Sequence, residues 1–395
     1  MYRLWLAPVM VAVSVAGAQP VALRVATFNV ADMRAEEVTD AGSLRAKALA
    51  EVIQRLRPNV ILLNEVAFDA SATPESQGGV AHRFATNLLA TPRAAELQGM
   101  NFVVFTAPVN TGIPSGFDLD NNGRIVTAHP PSPPRGTSAK DAPVSDAARD
   151  YGNDCWGFGT FPGHYGMALL VDSRLEILHD RVRTFQRFPW DYMPGAMLPE
   201  TADGRPWFDE EEIKFVRLSS KSHWDVPVRL PNGTVVHFLC SHPTPPVFDG
   251  PEKRNARRNH DEIRFWSDYI DGEPYIVDDK DLPGGLAWNS TFVILGDLNA
   301  DTKRGDAWRD PVGTFLFANR RIGRDVPPKS DVEIAGLDAH DTAVFGLRVD
   351  YVIPSRDIEV RASGVWRTMP TSAREFPSDH FPVWMDVVVG EAKRP

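Results

Sequence analysis

Cysteine is nearly absent from this sequence, with only Cys155 and Cys240 in 395 residues. That excludes a disulfide scaffold and a zinc cluster built on thiolates. Positive charge is not in excess either, since 42 Lys and Arg face 52 Asp and Glu for a net charge of −10. A protein that coats nucleic acid by bulk charge is thereby disfavoured, whereas an enzyme acting locally on a phosphate is not. Past the N-terminus no apolar run approaches the roughly 20 residues of a membrane-spanning helix. There is no Gly-x-Ser-x-Gly elbow of a serine hydrolase, no closely spaced histidine pair of a zinc site, and no internal repeat. What is present is ordinary globular material, 43% hydrophobic and 24% charged, long enough for a large core. Its 33 prolines point to long irregular connections and against a helical bundle. Length alone suggests roughly two to three domains.

The first residues read as a targeting segment. Arg3 is followed by an apolar run from Leu4 to Ala16 and by the small-x-small pattern Ala16-Gly17-Ala18. The expectation is a signal peptide over 1–18, a mature chain starting near Gln19, and a secreted or periplasmic protein. An oxidising compartment would permit a disulfide between Cys155 and Cys240.

Behind this segment, Val25 to Val30 reads as a strand, and Leu49, Val52, Ile53 and Leu56 stand at helical spacing before Arg57-Pro58 ends the helix. Val60 to Leu63 is a continuous apolar run, the pattern of a strand buried on both faces. Residues 106–160, rich in Pro, Gly, Asn and Asp, read as a long surface insertion. Further strands are expected at Met167–Val171, Val235–Cys240, Phe292–Leu295, Arg348–Ile353 and Pro382–Val389, with a helix from about Glu252 to Ile270. Several strands end in a polar residue able to bind a cation or phosphate: Asn29, Glu65, His242 and Asp297. Strand ends share a rim, where loops build active sites.

Two motifs are sharper than the rest. Gly296-Asp297-Leu298-Asn299 follows a buried strand; its Asp can orient or deprotonate water, and its Asn amide can donate to an anion. Ser378-Asp379-His380 precedes the final strand, and Asp350, in Arg348-Val349-Asp350-Tyr351, is placed to fix the tautomer of a histidine. Carboxylates without a Cys/His cluster suit Mg²⁺ or Mn²⁺ better than zinc.

Thr27-Phe28-Asn29, Asn64-Glu65, Ser241-His242-Pro243, Gly296-Asp297-Leu298-Asn299, Val349-Asp350-Tyr351 and Ser378-Asp379-His380 occur in the order of the endonuclease/exonuclease/phosphatase superfamily, and the chain resembles this DNase-I-like group of metal-dependent phosphoesterases from about residue 23 to 389. The resemblance implies an α+β fold, a four-layer α/β/β/α sandwich of two mixed sheets with outer helices, and one domain over 19–395 with insertions near 106–160 and 185–215. It implies that Glu65 binds metal, with Asn29 and Asp379 close to metal and phosphate. Asp297 and Asn299 would handle the attacking water and the phosphoryl oxygens, and His380 with Asp350 would form the catalytic pair. His242 would protonate the leaving oxygen. The partner implied is a phosphoester, either a small molecule or a nucleic acid. The rival reading is a secreted binding module that kept the fold and lost the chemistry.

Other residues carry weaker expectations. Tyr165, in His164-Tyr165-Gly166, and Arg254, among Lys253, Arg257 and Arg258, are candidate substrate contacts. Lys221 precedes an expected strand and could reach the rim. Asp118-Leu119-Asp120-Asn121-Asn122-Gly123 matches the first half of an EF-hand loop, but His129 stands at its twelfth position, so only a non-standard Ca²⁺ clip on Asp118, Asp120 and Asn122 is expected. Aromatics of 185–190 and 206–208 are candidates for the wall of a substrate groove.

Overall fold

The computed structural model describes residues 19–39, 43–69, 79–131 and 144–390. The expected signal segment lies outside them, as does part of the insertion. Among the described residues no helix is long and apolar enough to cross a membrane.

The strands are β1 (Val21–Met33), β2 (Val60–Val66), β3 (Phe102–Phe105), β4 (Met167–Asp172), β5 (Glu176–Ile177), β6 (Arg183–Thr184), β7 (His223–Arg229), β8 (Val235–Ser241), β9 (Thr291–Asp297), β10 (Asp350–Pro354), β11 (Glu359–Val365) and β12 (Val383–Val389). The α-helices are α1 (Ala35–Thr39), α2 (Leu44–Leu56), α3 (Val80–Arg83), α4 (Asp146–Asn153) and α5 (Arg254–Asp271). One sheet has the order β11-β12-β1-β2-β4-β3 and the other β10-β9-β8-β7-β5, with β6 also pairing β7. Both are mixed: β1 runs parallel to β2, and β8 to β9, while the remaining pairs are antiparallel.

Alternation along the strands builds the four layers. Val25, Val60, Leu62, Phe238, Cys240, Val293 and Leu295 pack together between the sheets. Their neighbours Ala26, Phe28, Ile61 and Leu63 face outward onto Leu49, Val52, Ile53 and Leu56 of α2. Leu239, Phe292 and Ile294 face the other way, onto Ile263, Trp266 and Ile270 of α5. The continuous apolar runs at 60–63 and 292–295 are thus explained, since each strand is covered on both faces. Leu62→Ala, which opens a hole in the middle layer, is expected to cost about 2–5 kcal/mol. Urea unfolding would show it as a lower midpoint at unchanged slope; a shift under about 1 kcal/mol would contradict this packing.

Helix ends follow local chemistry. Ser43 caps α2 by accepting from Ala46 N, and Arg57, left-handed at φ 54°, closes it ahead of Pro58. At α5 the Asp249 carboxylate accepts from Asn255 N and Ala256 N, and Gly272 ends the helix.

Two expectations change, and a question that the sequence leaves open is answered. The described part of 106–160 is not merely surface: Asn110, Thr111 and Asp154 are fully buried, and Leu119 and Trp156 join the core under α5. Phe185, Phe188, Trp190 and Phe208 are core as well, with the Phe185 ring 5.0 Å from that of Phe265, so they do not wall a groove. Cys155 and Cys240 are both buried free thiols; Cys240 lies in the intersheet layer, while Cys155 donates to Tyr151 O. The disulfide that the sequence permits is not formed.

Candidate active site

Topology gathers the polar strand ends. β1 and β2 are parallel, so both run to one rim, where regular pairing breaks after Asn29↔Asn64 and Asn29 and Glu65 stand; β8 and β9 likewise finish there, at Ser241 and Asp297. β10 is antiparallel to β9 and begins at that rim, with Asp350 opposite Asp297. β12 is antiparallel to β1 and is entered there through Ser378, Asp379 and His380. The strands β8 and β9 approach so closely at the rim that a Cβ on Gly296 would lie 2.0 Å from Ser241 O. Only glycine fits, and the next residues on the two strands, His242 and Asp297, are brought within 3.5 Å.

Asn29 bridges two carboxylates. Its Nδ2 donates to Glu65 Oε1 and to Asp297 Oδ2, each at 3.0 Å, while its Oδ1 accepts from Ala31 N. The residue therefore presents its amide N–H₂ between the two carboxylates, next to where a metal and phosphate are expected. Glu65 Oε2 accepts from Asp32 N. Burial, reinforced by the Asp379 carboxylate, pushes Glu65 up to about 7. Asp297 Oδ1 accepts from Asn299 N at 2.9 Å, and the Asn299 amide donates to Pro243 O.

His380 and Asp350 meet as the sequence suggests. His380 Nδ1 lies 2.9 Å from Asp350 Oδ2, which also accepts from Thr342 Oγ1 at 2.7 Å. His380 Nε2 points toward Asp297 Oδ2 at 3.7 Å. Burial works against charge on this imidazole, but Asp350 and Asp297 outweigh it and raise His380 well above the ordinary histidine value. His242 behaves in the opposite way. Burial, with the charges of Lys221 and His380 beside it, holds it well below, so it is a neutral imidazole.

Backbone strain concentrates here. Ala31, Asp32, Glu65, Tyr165 and Asn299 are all left-handed without being glycine, at φ between 51° and 63°. Such residues are uncommon and cluster where surrounding structure forces them. The Tyr165 ring stacks on His164 with centroids 3.5 Å apart, and His164 Nε2 lies 3.0 Å from Asp32 Oδ1. Although burial alone would raise it, His164 and Arg34 hold Asp32 down at about 2.

Two expected residues lie elsewhere. The Arg254 guanidinium donates to Leu119 O in the insertion, while Arg257 donates to Leu198 O and Arg258 to the carbonyls of Leu218, Trp156 and Arg217. This basic cluster ties α5 to neighbouring loops, so Arg254 is not brought to the rim. In the EF-hand-like loop, Asn122 Oδ1 accepts from Arg124 N within its own turn. The residue that joins Asp118 and Asp120 is instead Asp154, the three offering oxygens within 4.8 Å of one another.

Other contributors were given no role by the sequence, although Asn64 stood within a quoted motif. Asn64, fully buried, spans the two sheets: its Oδ1 accepts from Thr27 Oγ1 and Asp297 N, and its Nδ2 donates to Ser241 O. A polar side chain inside an apolar strand run was its signal. Thr342 and Asp32 had none, since each works through contacts remote in sequence or through backbone.

The donor set suits a hard divalent cation. Glu65, Asp297, Asp350 and Asp379 crowd one rim, and among the described residues no Lys or Arg pairs with any of them; carboxylate oxygens dominate. Asp297, Asp350 and His380 also offer ligand atoms within 4.8 Å of one another.

A face-to-face pair of mixed sheets whose rim carries Asn, Glu, Asp-x-Asn and a His–Asp pair defines a hydrolase of phosphoester bonds. The chain belongs to the Endonuclease/Exonuclease/phosphatase family, whose model matches residues 26–380. No curated protein matches it in sequence. Among solved structures it is similar to an endonuclease/exonuclease/phosphatase from Beutenbergia cavernae, at 18% identity and a TM-score of 0.51, covering 94% of this chain and 72% of that one. It also aligns with a family protein from Leptotrichia buccalis, at 12% identity and a TM-score of 0.46, covering 92% and 98%. A third match is the human Nocturnin catalytic domain with bound sulfate, at 12% and 0.44, covering 93% and 96%.

Proposed function

We propose that this chain is an exported phosphoesterase that uses Mg²⁺ or Mn²⁺ to cleave a phosphodiester or phosphomonoester by in-line attack of water. The observation that carries the reading is the rim where Asn29 joins Glu65 to Asp297, 3.7 Å from a His380 paired with Asp350. Glu65 and Asp379 would hold the cation, which would neutralise charge on the phosphoryl oxygens. Asp297, fixed by Asn29 and by Asn299 N, orients the water and takes its proton. The second hydrogen of the Asn299 amide and a neutral His242 donate to phosphoryl oxygens. His380, charged and held by Asp350, keeps a proton for the leaving oxygen, a role that the family resemblance implied for His242. Tyr165, left-handed and stacked on His164, is the candidate substrate contact. A net charge of −10 favours small esters over duplex nucleic acid. In the insertion, Asp118, Asp120 and Asp154 are the oxygens a structural Ca²⁺ would meet.

The test is hydrolysis of nitrophenyl mono- and diesters, plasmid DNA and phospholipid, with and without chelator. Activity should vanish with chelator and return with Mg²⁺ or Mn²⁺, and Glu65→Ala should lose about 10²-fold or more. Indifference to chelator would sink the mechanism, and turnover of none of the esters would favour a binding module. Whether the mature protein starts near Gln19 is read from its N-terminal sequence after export.

A further inference from the structure

Lys221 is a charged side chain that the mechanism above does not use. It lies two residues before β7, whose register pairs His223 with Ser241, so continuing the ladder sets Lys221 across from Pro243. It is 5% exposed. Its segment is clamped on both sides: Ser220 N and Oγ donate to Glu262 Oε1, and Lys221 O accepts from Asn110 N. The other Glu262 oxygen accepts from Thr244 N, so this carboxylate serves the backbone on both flanks.

The ammonium group itself has a single protein acceptor among the described residues, Pro243 O at 3.4 Å. The same carbonyl accepts from the Asn299 amide at 3.1 Å. Lys221 therefore converges with Asn299 beside His242, and the carboxylates that act on it, after Glu262, are Glu65 and Asp297. None of the three lies within ion-pair distance. A buried ammonium with three donors and one neutral acceptor is unfavourable unless an anion completes it.

Resting on the phosphoesterase reading, the geometry points to Lys221 as a further catalytic residue that receives a non-bridging oxygen of the substrate phosphate, between Asn299 and His242. Burial lowers the lysine from its ordinary value while Glu262, Glu65 and Asp297 pull the other way, and an incoming phosphate favours the charged form. The ammonium thus adds positive charge where negative charge grows during transfer, on a rim otherwise dominated by carboxylates.

The test uses the full chain carrying Lys221→Met, which keeps the length and removes the charge, with Lys221→Gln as a second variant that retains a donor for Pro243 O. Inorganic phosphate is titrated by calorimetry, and kcat/KM is measured on the best nitrophenyl ester. Lys221→Met should weaken phosphate binding about ten- to a hundredfold and lower kcat/KM by about 10²- to 10³-fold, with the melting temperature unchanged or raised. Wild-type phosphate affinity in both variants overturns the assignment, as does a fall in kcat/KM accompanied by lower stability at unchanged phosphate affinity. A phosphate-soaked crystal of the wild type in which Lys221 Nζ touches no phosphate oxygen overturns it whatever the variants do. Should the wild type hydrolyse no phosphoester yet bind phosphate through Lys221, the enzymatic reading fails and the anion site stands.

Discussion

Asp297→Asn should reduce kcat on any phosphoester the wild type hydrolyses by about 10³-fold or more. The substitution preserves shape but removes the group that takes the proton. It also sets two amides against each other. Asn29 Nδ2 donates to Asp297 Oδ2, and its oxygen is committed to Ala31 N, so Asn29 cannot turn to accept from a new N–H₂ without losing that bond. The bridge from Asp297 to Glu65 is therefore disturbed together with the base. Single-turnover kinetics check the size of the loss, and circular dichroism checks that the fold persists. A variant within tenfold of wild type would mean that Asp297 is not the base.

Asp350→Asn is the second large effect, and its direction on the pH axis is as informative as its size. In the wild type, burial opposes charge on His380 while Asp350 and Asp297 overcome it. With Asp350 neutral, burial gains the upper hand and the histidine loses its proton at lower pH. The alkaline limb of kcat should move to lower pH, and the rate near neutrality should drop about 10²-fold or more. Stability follows the same sign. A histidine raised in the folded state contributes stability that is complete below its unfolded value of about 6.5 and is lost as pH rises through the folded value. Between those limits the wild type should lose more stability than Asp350→Asn. Urea unfolding at a series of pH values reads this directly, and parallel curves for the two proteins would contradict the assigned charge.

The sandwich was legible because its strands are covered on both faces. Runs such as Val60–Leu63 and Phe292–Leu295 have nowhere to be but inside, and the helix at Leu49–Leu56 carries its own stripe and stop. The strands that escaped notice are of another kind. β3 has four residues, and β11, at the end of its sheet, is buried only at its last two residues, so neither shows a strong apolar pattern. The rim residues were legible where a polar side chain ends an apolar run, as at Asn29, Glu65 and Asp297. Arg254 misled because a basic helix start looks the same whether it meets phosphate or carbonyls; only the approach of Leu119 O decides it. Asn122 misled for a related reason, since the residue that joins the acidic pair is Asp154, about thirty positions away and invisible to a linear motif.

Neither sheet holds a complete set of catalytic groups. Asn29, Glu65 and His380 come with the first, and His242, Asp297 and Asp350 with the second. Asn64 reaches from the first sheet to Asp297 N and Ser241 O of the second at that same seam. Turnover is therefore a reporter of sheet docking. A partly unfolded form that keeps each half's hydrogen-bonded ladder but parts the halves would retain its far-ultraviolet signature and be silent as an enzyme. During denaturation, activity should disappear with the seam and not with the strands.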